Sequence, residues 1–120
     1  MEPRRIGFCF DTCHATAAGY DMTTDAKATT VWQQWKAICG IRSLRVFHLN
    51  DSQGAVGSRL DRHAPINQGR CGRSCFRAIV NTPAFAAVPK ILETPKGTND
   101  KGVPWDLVNI RRLRRMVRRI

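Results

Sequence analysis

Six side chains of the kind that hold metal ions are spread over four short motifs. Asp11 and His14 stand in FDTCHA, His48 in FHLND, Asp61 and His63 in GSRLDRH, and Glu93 in ILETP. They include all three histidines of the chain. A mixed set of imidazoles and carboxylates suits zinc or manganese, and six such groups exceed the needs of one tetrahedral ion. More than one ion is implied. Each residue also has an ordinary use: Asp11 as a helix cap, His14 on the surface, His48 in the core, Asp61 and His63 in a solvated loop, Glu93 in an ion pair. Accidental convergence of all six on one place is far less expected than any single ordinary role.

The elements that must position them are short. Apolar runs bounded by turn chemistry predict strands at RIGFCFD (5–11), LRVFHLND (44–51) and PKILETP (89–95). Helical spacing lies between and after them. From about Thr24 to Cys39 it puts Val31, Trp35 and Ile38 on one face; from Cys71 to Val80 it groups Cys75 and Ile79, with Cys71 beside them. From Pro104 to the end it spaces Ile110, Leu113, Val117 and Ile120 at helical intervals. Strands alternating with helices in this order are most economically built as right-handed βαβ crossovers on a parallel sheet. Chemistry in such sheets gathers at the C-terminal strand ends, where FD, FHLND and LETP carry their polar residues. Strand periodicity puts Val46, His48 and Asn50 on one face and Ile91, Glu93 and Pro95 on another. Asp11, His48 and Glu93 can then share one end of one sheet. Asp61 and His63 project to the same side if their loop is extended.

The 120 residues suffice for one domain with a modest core. The net charge is +11, and Arg111, Arg112, Arg114, Arg115, Arg118 and Arg119 crowd the final ten residues. That balance favours a polyanionic partner, nucleic acid before an anionic membrane surface; the wet face of an outer helix is the plainer use of the terminal arginines. No stretch approaches the roughly 20 apolar residues of a membrane span, and the opening residues lack the apolar segment of a secretory leader. Five cysteines (Cys9, Cys13, Cys39, Cys71, Cys75), an odd number, suggest reduced thiols in an intracellular protein. Two C-x3-C pairs fall within the spacing of structural zinc sites. Cys9 inside a strand and Cys71 with Cys75 opening a helix argue against that use.

RIGFCFDTCHATAAGYD, FHLNDSQGAVGSRLDRH and ILETPKG, in this order and at this spacing, resemble the C-terminal part of the endonuclease IV family of apurinic/apyrimidinic endonucleases. The resemblance covers residues 4 to 119. It implies an α/β fold, a partial TIM barrel of three βα units with a parallel sheet, and hydrolysis of double-stranded DNA 5′ to an abasic site, leaving a 3′ hydroxyl. Carried over, His14, Asp61 and His63 match the ligands of one zinc ion, and Asp11, His48 and Glu93 match three ligands of a second. A bridging glutamate and the ligands of a third zinc, which the family takes from earlier strands, have no counterpart here, so one to two zinc ions are expected. Arg59 and Arg62 are placed to meet DNA phosphates. In INQGRCG (66–72) Asn67 stands where glycine is usual in the family.

A closed barrel of this type takes eight βα units and typically about 250 residues. The chain is therefore expected to be a portion truncated on its N-terminal side and marginally stable alone. Three functions compete: an abasic-site endonuclease, a non-catalytic remnant that binds zinc and DNA, and another metal-dependent barrel such as a sugar-phosphate isomerase. The third is disfavoured because DTCHA and GSRLDRH build a metal site for which an isomerase has no obvious use. Such a repair enzyme is expected in the nucleus if eukaryotic, with mitochondrion or cytoplasm as alternatives.

Overall fold

A computed structural model describes residues 5–118. Arg4, Arg119 and Ile120, which the sequence reading includes in its matched stretch, basic tail and last helical face, lie outside the described residues. The predicted order is present. Strand β1 (Phe8–Asp11) leads into helices α1 (Thr12–Ala18) and α2 (Asp25–Ile38); β2 (Leu44–His48) follows, then a small hairpin of β3 (Asp51–Ser52) and β4 (His63–Ala64). Helix α3 (Arg73–Asn81), strand β5 (Lys90–Ile91) and helix α4 (Trp105–Met116) complete three βα units. The main sheet is parallel with β2 in the middle, in the order β1-β2-β5. Asp11 pairs with His48 and His48 with Ile91, so the chemistry-bearing strand ends are level.

The core is an aromatic cluster between the sheet and α2. Phe47, fully buried, meets Phe85 at 5.0 Å, Trp32 at 5.8 Å and Phe10 at 6.1 Å between ring centroids, all edge-to-face. Such pairs add to the burial of large apolar area. Met22, Leu49, Ile66, Cys71, Cys75, Phe76 and Ile79 extend the cluster under α3.

Four expectations need correction. The strands are shorter than their apolar runs, the third above all: beyond Ile91 the backbone leaves the ladder and Glu93 N–H donates to the Asn50 side chain instead. Residues 12–18 form a helix that the predicted elements leave out, with Asp11 as its N-cap. Ile38, assigned to the inward face of α2, is 82% exposed, and among the described residues no strand pairs with the outer edge of β1. The inward face of α4 is rotated: Asn109 and Met116 are buried while Ile110 and Val117 are exposed. Asn109 is drawn inward by two bonds, its Oδ1 accepting from Ile66 N–H and its Nδ2 donating to Thr94 Oγ1.

Asn67 has φ of +69°. Asparagine is the non-glycine residue that most readily adopts this left-handed conformation, so the departure from the family's glycine leaves the turn intact. Two residues on, Gly69 packs against Ser52 O and the Asp51 carboxylate, where a Cβ would collide. That approach lets Asp51 Oδ1 accept from both Ser52 N–H and Cys71 N–H and close the loop.

Helix α2 is capped by Thr24, whose hydroxyl accepts from Lys27 N–H at 3.2 Å. Just before it, Asp21 accepts from the hydroxyl and N–H of Thr23 and from Lys27 Nζ. The Thr23 hydroxyl and N–H, with the Lys27 ammonium, hold its carboxyl down at about 2. A depressed carboxyl contributes stability above its unfolded value, about 3.9, and loses it as pH falls through the folded value. The Asp21→Ala chain is expected to unfold at lower urea than the parent, by a margin constant from about pH 7 to about pH 5 that closes toward pH 2. Urea midpoints across that range measure it.

Candidate metal centre

Asp11 is the last residue of β1 and the N-cap of α1. Its Oδ1 accepts from His14 N–H at 3.0 Å, satisfying an orphan donor of the helix and placing His14 in the first turn. Its Oδ2 remains free to face the sheet end. There it lies 3.6 Å from His48 Nδ1, 3.8 Å from His63 Nε2 and 3.1 Å from Asn50 Nδ2. One carboxylate thus serves both the helix and the site, which is why FDTCHA reads as a strand ending on acid with histidine three residues later.

The hairpin brings the second motif. Strands β3 and β4 pair antiparallel, with Ser52 opposite His63, and the loop between them is pinned on α1 by Gly57 N–H to Thr16 O and Arg59 N–H to Ala17 O. Arg59 adopts φ of +60°, a conformation that costs a non-glycine residue energy and is concentrated at functional loops. The loop carries Asp61 to His14, with Oδ2 3.3 Å from Nδ1, while its Oδ1 stands 4.0 Å from His63 Nε2. Beyond β5, Glu93 Oε1 reaches His48 Nδ1 at 2.6 Å.

All six predicted residues line one open cavity of about 690 Å3, whose other wall is the apolar side of α2 at Val31, Trp35 and Ile38. Asp11, His48 and Glu93 offer donor atoms that lie within 4.8 Å of one another. The other trio is looser: Asp61 stands between His14 and His63, joined to each, rather than the three closing on one point. The tighter group around His63 is instead Asp11, Cys13 and His63. Cys13, considered in the sequence only as half of a C-x3-C pair with Cys9, falls in this group instead. Its thiol is buried, and burial above all pushes it up to about 12, so it remains a donor, reaching Asp61 Oδ1 and Arg62 O. Arg59 and Arg62 are both exposed on the hairpin loop; Arg59 borders a small hollow with His14 and Asp61.

The donor set fits a divalent cation on two grounds. Among the described residues, the lysine and arginine ion pairs involve Asp21, Asp25 and Asp106, so the close ion-pairing partners of Asp11, Asp61 and Glu93 are histidines. Three carboxylates so grouped repel one another and call for positive charge. Secondly, His63 Nδ1 lies 2.8 Å from Glu93 O. A carbonyl only accepts, so Nδ1 carries a proton and Nε2 is the ring atom turned toward Asp11 and Asp61. A backbone carbonyl fixing the far nitrogen is the usual support of a metal-binding histidine.

Residues 1–117 match the family described as xylose isomerase-like TIM barrel. The chain belongs to that family. Within it the similarity is to endonuclease IV: a probable endonuclease 4 of Geotalea daltonii is 46% identical over 117 residues, covering 98% of this chain and 40% of that protein. One from Geobacter sulfurreducens is 48% identical, over 98% of this chain and 38% of its own length. The crystal structure of endonuclease IV from Thermus thermophilus superimposes with a TM-score of 0.74 at 38% identity, covering 90% of this chain and 37% of that one. The chain therefore spans about two fifths of the relatives' length. Its three βα units on a parallel sheet are an arc of a TIM barrel, and the site sits at the C-terminal strand ends, where barrels of this kind carry their chemistry. No helix among the described residues is long and apolar enough to cross a membrane.

Proposed function

We propose that this chain is the C-terminal portion of a DNA-repair endonuclease that hydrolyses the phosphodiester 5′ to an abasic site, with zinc held at the strand-end cavity. The observation that carries the reading is the convergence of Asp11, His14, His48, Asp61, His63 and Glu93 on that cavity, with Asp11 Oδ2 between two imidazoles. Asp11, His48 and Glu93 would hold one ion; Asp61 and His63, with His14, would hold another. Zinc bound there supplies Lewis acidity, which makes water nucleophilic near neutral pH and offsets charge on the phosphate and the departing 3′ oxygen.

The chain's own groups do the rest. The carboxylates lower the net charge of the ion cluster so that ions can sit close together. Glu93 O keeps the His63 proton on Nδ1. Arg59 and Arg62, exposed beside the cavity, draw the duplex backbone to it, in keeping with the +11 charge.

Incubating the purified chain with zinc and a duplex containing one abasic site tests this reading. Expected are about one to two zinc ions per chain by elemental analysis and zinc-dependent nicking on the 5′ side of the lesion. Retention of the duplex in a shift assay without nicking would favour the non-catalytic zinc- and DNA-binding remnant. A chain that takes up no zinc after zinc-replete refolding would end both.

A further inference from the structure

Asn50 is fully buried and belongs to neither donor group, yet it touches both sides of one. Its Nδ2 donates to Asp11 Oδ2 at 3.1 Å, and its Oδ1 accepts from Glu93 N–H at 2.7 Å. The orientation of the amide is not free: a backbone N–H can only donate, so the oxygen must face Glu93 and the NH2 group must face the Asp11 carboxylate. The backbone of Asn50 is itself fixed by buried Thr12, whose hydroxyl accepts from Asn50 N–H at 2.9 Å and donates to Asn50 O at 2.5 Å.

Strands β1 and β5 lie on opposite sides of β2 and do not pair. Asp11 follows from one and Glu93 from the other, so the ladder alone does not set the distance between them. We propose that Asn50 is a positioning residue that ties Asp11 to the Glu93 segment across His48 and holds the three donors together before a cation arrives. The inference rests on the reading that these three bind zinc. Two carboxylates converging on one imidazole repel each other without an ion. The Asn50 NH2 group gives one of them a fixed, uncharged donor, and the bond to Glu93 N–H restrains the backbone that delivers the other. A buried amide bonded at both ends also fixes a single arrangement, since losing either partner leaves a buried polar group unsatisfied.

Two variants of the full chain test it. Asn50→Leu roughly conserves volume and removes both bonds; Asn50→Ala removes them without adding a branched side chain. Zinc affinity is read by competition with a chromophoric chelator, and ligand geometry by the visible absorption of the cobalt-substituted chain. Expected is a loss of about 10- to 100-fold in zinc affinity, the range found for groups that orient metal ligands, with an altered cobalt spectrum. The loss should persist in full in a His14→Ala background and shrink in a Glu93→Ala background, where only Asp11 is left for Asn50 to position. Folded variants with parental affinity and spectrum overturn the proposal, as does a loss of the same size in both backgrounds. Loss of the folded circular dichroism signal in both variants assigns Asn50 a structural role and overturns it as well. A parent chain that binds no zinc removes the functional reading itself, a result seen before any variant is compared.

Discussion

The Asp11→Asn chain is expected to remain folded and to bind zinc more than about 100-fold more weakly than the parent, beyond the range set by residues that only orient ligands. The two oxygens of Asp11 have separate duties. Oδ1 caps α1 by accepting from His14 N–H, and asparagine caps as well as aspartate, so the helix and its His14 stay in place. Oδ2 is the atom shared by the surroundings of His48 and His63. With the cap retained, asparagine turns an NH2 group to that point, where a cation requires an electron pair and negative charge. Asp11→Ala loses the cap in addition, at a further cost of about 1 kcal/mol in stability. Chelator competition and nicking of an abasic duplex measure the difference. Nicking by Asp11→Asn within about threefold of the parent, a change worth under about 1 kcal/mol, would remove Asp11 from the centre.

Phe47→Ala is expected to cost about 3–5 kcal/mol. Domains of ordinary size are stable by only about 5–15 kcal/mol, so this substitution takes most of the margin at the lower end. The ring is fully buried and contacts Phe10, Trp32 and Phe85, which come from β1, α2 and the turn after α3. Truncation leaves a hole that three separate elements would all have to move to fill. It also loosens β2 one residue before His48, coupling the core to the site. Urea unfolding followed by Trp32 and Trp35 fluorescence reads the loss as a lower midpoint at unchanged slope. An unchanged midpoint would show that the aromatic cluster is not the core.

The six candidate ligands were legible as a group because their types are rare and their spacing is tied to strand ends. Three histidines and three acids sit where alternation, turns and the βαβ order all place the same rim. Helix α1 was not legible, since seven residues with alanines and threonines have too little apolar periodicity to stand out; it exists because Asp11 caps it and Gly19, at φ of +110°, ends it. The hairpin of β3 and β4 escaped for a similar reason, being two residues on each side. The face of α4 was misjudged because a periodicity of apolar residues cannot register a buried asparagine satisfied by Ile66 and Thr94.

Side-chain type and local period were enough to specify the class of the sheet, the order of its units and a set of six candidate donors, since none of these needs a distance between remote segments. Which donors share a point, that Cys13 stands among them and that Asn50 links Asp11 to Glu93 emerged only in three dimensions. Those facts depend on spacings between segments about 40 residues apart, set by packing and by bonds whose partners no local pattern names.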